Sequence, residues 1–367
     1  MAARSNALSE LTRFWLEARH GCLVQESIPV PVPYGQSDID FLAMHPRLLS
    51  ITLPDGAQIG PRFIVETDTS NILYLFTAKG MGATVPVHQL PQVNDPAEGT
   101  AFNSLSALKP DDEVVATVAL PLSLESGFLF FATAGGEVKR MKMEDLPGLM
   151  ANAFSVMDIE KGDRLGWVMV TGGEEEVVLV TADAQAIRFK ETDVRPTGMG
   201  AGGMRGVKLL GQRDRVVGAA IAGDHLHLWV VTDDGIAKLS PLDEYPTQGR
   251  AGSGVVTMKL VPDSRGLAAA AVGKPDDAII LLTSKNRPKY MRLSLAPKAK
   301  RAAKGDYIIS LGAKEHVKSV ATYQKRIDAP DVAEPEVAAE APPLYSNGHS
   351  GNGKINGNGR VNGKAKS

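Results

Sequence analysis

A strand–threonine–turn signal recurs five times along the chain. It reads LYLFTAKG at 73–80, FLFFATAGG at 128–136, VVLVTADA at 177–184, LWVVTDDG at 228–235 and IILLTSKN at 279–286. The anchor threonines Thr77, Thr133, Thr181, Thr232 and Thr283 are 56, 48, 51 and 51 residues apart. Each apolar run before an anchor is too short for a helix and is bounded by turn residues, so it reads as a buried strand. A second strand follows, basic in most units. Then comes a corner ending at Pro91, Pro147, Pro196, Pro246 or Pro297, and an apolar strand closes the unit. A period near 50 with several short strands per unit predicts propeller-like blades. A solenoid of helix pairs would need a 3.6-residue period, which no unit sustains. One blade cannot bury both faces of its sheet. The neighbours must stack, and the expected fold is mainly β, one cooperative disc of about five blades.

The unit VTADAQAIRFKETDVRPTGMGAGGMRGVKL (180–209) resembles a blade of the C-terminal DNA-wrapping domain of bacterial DNA gyrase A, a type IIA topoisomerase component. LSPLDEYPTQGRAGSGVVTMKL (239–260) resembles the next blade of that family. The resemblance covers roughly residues 62–324. It implies a β-pinwheel, a propeller whose blades exchange strands, with duplex DNA bound around the outer rim. It also implies gyrase or topoisomerase IV subunits as partners. The family's signature basic loop, Q-R-R-G-G-K-G, does not occur before Thr77. The nearest analogue holds Gln248, Arg250 and Gly252, with Ser253 in place of the lysine.

A formal net charge of −2 means that any nucleic-acid surface must be local. The rim candidates are Lys139, Arg140, Lys142, Arg188, Arg205, Lys208, Lys238, Arg250, Lys259, Lys289, Arg292, Lys300 and Arg301. They return at two places in each unit, after the turn and in the glycine-rich loop. On a disc this places cations around one circumference, where evenly spaced phosphates can be tracked without reading bases. Bending the duplex costs several kcal/mol, which suits many contacts and not one point site.

Residues 1–60 do not fit the repeat and read as a small α/β segment dispensable for the disc. Leu8, Leu11, Phe14, Trp15 and Ala18 fall on one face of a predicted helix over 7–24. Strands are expected at 36–43 and 62–66. This order resembles the start of a restriction-endonuclease-like nuclease core, and Asp38, Asp40 and Glu66 are the candidate carboxylates. The position of that family's lysine is Asp68, and the chain then enters the first repeat, which favours an inactive remnant. In a second reading, 62–66 closes a blade whose earlier part is missing. The disc is expected over 61–326. The tail over 327–367, acidic and then rich in Gly, Asn and Lys, lacks the apolar surface to order itself.

No G-x-x-x-x-G-K-[ST] loop occurs, and Cys22 is the only cysteine, so neither a nucleotide site nor a thiolate metal centre is expected. No catalytic activity and no cofactor are expected of the chain alone. The lone cysteine and the lack of a signal peptide or of an apolar run of about 20 residues predict a cytoplasmic protein with no membrane partner. Three classes of function remain: a DNA-wrapping module, a metal-dependent nuclease, and a propeller scaffold that binds protein.

Overall fold

The computed structural model describes residues 60–327, apart from 92–98, 123–125, 263 and 326, and four earlier strands: Glu10–Glu17, Cys22–Pro29, Ile51–Thr52 and Gln58–Ile59. Asp38, Asp40, the strand expected at 36–43 and the tail from 328 onward lie outside the described residues.

The five predicted blades are present, and each is built in the same way. In the second, Phe128–Thr133 is the central strand and Glu137–Lys142 its hairpin partner. Leu165–Thr171 closes the blade on the other side of the central strand. The two-residue strand Met204–Arg205, from the following repeat, adds to the outer edge of the partner strand. The first, third and fourth blades receive Phe154–Ser155, Val255–Val256 and Asp306–Tyr307 in the same manner. Each repeat therefore lends a strand to the blade before it. The corner of the donor also crosses the partner strand: Arg140 bridges to Pro196, Arg188 to Thr247 and Leu239 to Lys298. In the fifth blade, Pro288–Arg292 is the outermost strand among the described residues. Pro288 lacks an N–H and Lys289 is charged, both of which discourage pairing by a foreign strand.

The anchor threonines occupy equivalent positions. In all five blades the register to the closing strand shifts at the threonine. Its carbonyl accepts the turn hydrogen bond from Gly80, Gly136, Ala184, Gly235 or Asn286, and those residues all have positive φ, between 58° and 94°. The hydroxyls of Thr77, Thr133, Thr232 and Thr283 accept the N–H four residues on, at 2.9–3.3 Å. This buried turn fixes where each hairpin ends.

At Gly80, φ is +74° and an added Cβ would lie 2.1 Å from the Met157 carbonyl oxygen, which belongs to the next repeat. Gly80→Ala is therefore expected to destabilise the disc by about 2–4 kcal/mol, since left-handed strain and overpacking add. Gly162→Ala is the control. Its φ is +92°, but nothing lies within 4 Å, so urea melts should show only the backbone cost, about 1–2 kcal/mol.

A further sheet corrects the reading of the N-terminus. Glu10–Glu17 and Cys22–Pro29 form an antiparallel hairpin, not a helix over 7–24. Phe63–Thr67 pairs with Glu10–Glu17 as a closing strand would, and Thr100–Ala101 of the first repeat adds to the outer edge. The blade closed by 62–66 thus has its earlier part, drawn from within the segment expected to stand apart from the disc. Thr322–Gln324 runs parallel to Phe63–Thr67 on its other side. The described residues accordingly fall in one compact unit.

The core lies in the seams between sheets. Phe76 meets Phe131 edge to face between the first and second blades, and Phe130 packs near Phe189 between the second and third. Further clusters join the third blade to the fourth and the fourth to the fifth. Ile64, Ile280 and Leu282 join the fifth to the N-terminal sheet. The Gln324 side chain, on the N-terminal sheet, reaches the first blade, donating to the Ala119 carbonyl at 3.0 Å and accepting the Ala119 N–H at 3.1 Å.

Candidate nucleic-acid interface

Strand exchange divides the predicted cations into two sets. Counting from each anchor threonine, the residue six positions on is Ala83, Lys139, Ile187, Lys238 or Lys289. On an ordinary edge strand these side chains would face solvent. Here the crossing corner of the next repeat covers them, and Lys139 and Lys238 are 1% and 0% exposed. The Lys139 ammonium donates to the carbonyls of Val156, Gly198 and Ala201 at 2.6, 2.6 and 3.1 Å. Lys238 donates to Ser240 Oγ and to the carbonyls of Lys300 and Arg301 at 2.6–3.0 Å. Burial lowers the pKa of both to about 8, against the pull of Asp145 on Lys139 and of Glu244 on Lys238. Neither ammonium faces the rim, which corrects their assignment as phosphate contacts. Each instead ties down the loop of the following repeat. Lys289 stands in the same column but is exposed, because no following corner crosses it among the described residues.

Arg140 and Arg188, seven residues after their anchors, are withdrawn in a similar way. Arg140 is 7% exposed, stacks over Phe128 at 4.5 Å, donates to the Gly173 carbonyl at 3.1 Å and lies 3.9 Å from Glu191. Arg188 is partly buried, pairs with Glu176 at 2.5 Å and donates to the Leu242 carbonyl at 3.1 Å. Both are contacts between blades. Arg250 spends its guanidinium on the carbonyls of Asp193 and Arg205, both at 3.0 Å, and so ties the loops of the third and fourth repeats together.

The remaining predicted cations point outward. Lys142, Arg205, Lys208, Lys259, Lys289, Arg292 and Lys300 are exposed, and Arg301 is half-buried with a bond to the Val256 carbonyl at 2.8 Å. Lys142 is partly neutralised by Glu144 at 2.7 Å. Sequence reasoning left out Lys190, which is exposed nine residues after its anchor. The same column holds Lys142 and Arg292, so the repeat itself was the signal that could have found it. Arg195, Lys298 and Lys304 also face solvent on these corners and loops.

The free cations are not spread evenly. The loops form a chain around the rim: Asp158 N–H donates to the Ala201 carbonyl, Lys208 N–H to Gly252 and Lys259 N–H to Ala303. The equivalent links therefore carry Asp158, Lys208 and Lys259 in successive repeats. An acid stands in the second repeat where a lysine stands in the third and fourth. The exposed basic surface is an arc over the third to fifth repeats.

The nuclease candidate has no support from the described residues. Glu66 is buried and accepts the Tyr323 hydroxyl at 2.7 Å as part of the ring closure. No group of three or more potential metal ligands occurs among the described residues. Among those residues, no helix is long and apolar enough to cross a membrane.

The repeat, the exchanged strands and the basic arc can now be set against known proteins. The family described as DNA gyrase C-terminal domain, beta-propeller, matches residues 71–121, 127–171, 175–222, 227–265 and 277–323. The chain belongs to this family. The five matched segments coincide with the five repeats. DNA gyrase A of Dehalogenimonas lykanthroporepellens is 34% identical over 61% of this chain and 27% of its own length. DNA gyrase A of Escherichia coli is 29% identical over 73% of this chain and 31% of its own length. The chain thus spans less than a third of these curated relatives. Among solved structures, the C-terminal domain of DNA topoisomerase IV aligns with a TM-score of 0.68 at 23% identity, covering 86% of this chain and 93% of that one. The DNA gyrase A C-terminal domain aligns with a TM-score of 0.66 at 17% identity, covering 86% of this chain and all of that one. These two likenesses bear on the fold.

Proposed function

We propose that the chain is a DNA-wrapping module that holds duplex DNA against the arc of the third to fifth repeats, working with type II topoisomerase subunits inside the cell. One observation carries this reading. The cations free of internal partners gather on the corners and loops of three consecutive repeats, while those facing inward lock the same loops in place. A row of point charges on a rigid curved edge suits phosphate contact along a bent duplex and offers no base-reading side chains. Asp158 and the Lys142–Glu144 pair end the row at the second repeat, which limits the length of DNA that one disc can hold.

Binding to duplexes of unrelated sequence should be equal and should weaken steeply with salt. Six phosphate contacts give a log–log slope of about −5, and losing one of them reduces it by about one. Lys208→Ala and Lys259→Ala should each do so. Lys289→Ala should act alike, being uncovered. A flat salt response, or an effect confined to one sequence, would overturn the reading. With Ser253 in place of the family's loop lysine, a nicking–closing assay should show only a small linking-number shift.

A further inference from the structure

One position on the rim changes character around the disc. The exchanged strands give its register: the carbonyls of Gly80, Gly136, Ala184 and Gly235 accept the N–H groups of Val156, Gly206, Thr257 and Ile308 at 2.8–3.1 Å. Seven residues before these four donors stand Leu149, Met199, Arg250 and Arg301. Both arginines reach back to the preceding repeat. Arg250 donates to the Arg205 carbonyl at 3.0 Å, and Arg301 to the equivalent Val256 carbonyl at 2.8 Å. The side chains of Leu149 and Met199 have no donor to make this tie. They stand out from the surface instead, 50% and 45% exposed.

A surface methionine alone means little. This one is held at the apex of an anchored turn, inside the arc of exposed cations. The Ala201 N–H donates to the Gly198 carbonyl at 3.4 Å, which makes Met199 and Gly200 the central pair of a β-turn. Gly200 has a φ of +69° and Ala251, its counterpart after Arg250, has +68°, so both loops turn the same way. The Lys139 ammonium grips the carbonyls at both ends of the turn, Gly198 at 2.6 Å and Ala201 at 3.1 Å. The Thr197 N–H is fixed on the Arg140 carbonyl at 2.9 Å. A Cβ added at Gly198 would meet nothing within 4 Å. The apex is therefore rigid, narrow and bare, with an apolar side chain at its tip. The charges around it are mixed: Arg205 lies opposite Glu137, and the Asp158 N–H bonds to the Ala201 carbonyl at 3.2 Å. Attraction to phosphate does not account for a methionine there.

We propose that Met199 is a wedge that enters the minor groove of the duplex lying on the arc and opens one base step, so that the DNA kinks at the third repeat. This rests on the wrapping reading. An apex of two residues suits a groove about 6 Å wide. An unbranched thioether chain adapts its shape to the gap between two base faces. Apolar wedges of this kind kink DNA by roughly 20–90°. Unstacking a step costs free energy, so a wedge works only where its backbone cannot retreat, and the Lys139 ammonium supplies that backing. Met199 reads no base edge. Mixed-sequence duplexes all contain flexible pyrimidine–purine steps, so the wedge sets where the disc sits along a duplex and not which duplex it binds.

The test uses the full chain and a mixed-sequence duplex of about 30 base pairs with a fluorophore at each end. A second copy of the duplex carries 2-aminopurine in place of several adenines. The parent should shorten the end-to-end distance and raise the 2-aminopurine emission. Met199→Ala should lose most of both changes and weaken binding about threefold or more, while the salt slope stays that of the parent because no phosphate contact is lost. Met199→Leu should keep the kink. Leu149→Ala removes similar exposed surface in the repeat that carries Asp158, past the end of the arc, and should leave the bend unchanged. All three side chains are at the surface, so the variants should melt in urea with the parent. A parent that does not bind duplex DNA overturns the wrapping reading and the wedge with it. A parent that binds, with Met199→Ala bending and unstacking the duplex as well as the parent does, overturns the wedge alone. So does a loss of bend from Leu149→Ala as large as that from Met199→Ala, since exposed apolar surface in general would then be responsible.

Discussion

Glu191→Ala is expected to destabilise the disc by about 3–5 kcal/mol, among the largest single effects available in it. Ten residues after the anchor, the other repeats have Val87, Met143, Leu242 and Leu293, all buried. The third repeat has Glu191, fully buried, in the seam between the second and third blades. It accepts the Thr171 hydroxyl at 2.7 Å and the N–H groups of Gly173 and Glu175, each at 2.9 Å, with Arg140 at 3.9 Å. Burial pushes its carboxyl above the ordinary range, and the neighbouring Glu175 adds to this. The alanine variant leaves Arg140 buried without a counter-charge and strands the Glu175 N–H and the Thr171 hydroxyl, while the Gly173 N–H keeps the Glu175 carboxylate at 2.9 Å. The cost is that of the orphaned groups, not the net worth of the pair. Replacing both partners, as Glu191→Leu with Arg140→Met, restores the apolar character of the column and should recover most of the loss. Urea melts of the two single variants and the double variant give the coupling. If Glu191→Ala stays within about 1 kcal/mol of the parent, the seam is held by Phe130 and Phe189 without the polar network.

The repeat was legible because its signals are local. An apolar run, a threonine and a left-handed turn residue each leave a mark in a few consecutive positions. Five such marks at one period fix the disc and the five blades of the repeat, while the N-terminal sheet carries no such mark. Strand exchange left no local mark. Whether a lysine six residues past its anchor faces solvent depends on a corner about 60 residues further on. Lys139, Lys238 and Lys289 look alike in sequence, yet two are caged and one is free. The family resemblance implied that strands are exchanged, but not which side chains the crossing would cover. The N-terminal hairpin was hidden for a related reason. Leu8, Leu11, Phe14 and Trp15 satisfy a helical spacing over about two turns, while pairing with Phe63–Thr67 draws Glu10–Glu17 into a sheet. Tertiary pairing overrides a weak local preference. Conversely, the column that exposes Lys142, Lys190 and Arg292 was present in the sequence and could have been read from the repeat alone.

Lys139→Met is expected to loosen the glycine-rich loop of the third repeat and to cost about 2–3 kcal/mol, because buried carbonyls lose their donor. The Gly198 and Ala201 carbonyls belong to that loop, and Arg205 lies four residues beyond it on the exchanged strand. DNA affinity should fall as well, although Lys139 touches no phosphate. That distinguishes a loop anchor from a contact: the salt slope should keep the value set by the exposed cations while the intercept drops. The dependence on pH has a definite sign. Burial lowers the folded-state pKa to about 8, below the unfolded value of about 10.4. Between these two values the unfolded chain binds more protons, so the lysine's contribution to stability rises with pH in that window and is flat below it. The stability of the parent minus that of Lys139→Met should therefore increase by about 2 kcal/mol between about pH 7.5 and 10. Taking the difference cancels titrations common to both proteins. Lys238→Met should show the same window, since that lysine is also lowered to about 8 in an equivalent cage. A difference that stays level up to pH 10 would mean that the carbonyl oxygens outweigh burial and keep the ammonium charged, and the alkaline gain would then have to be abandoned.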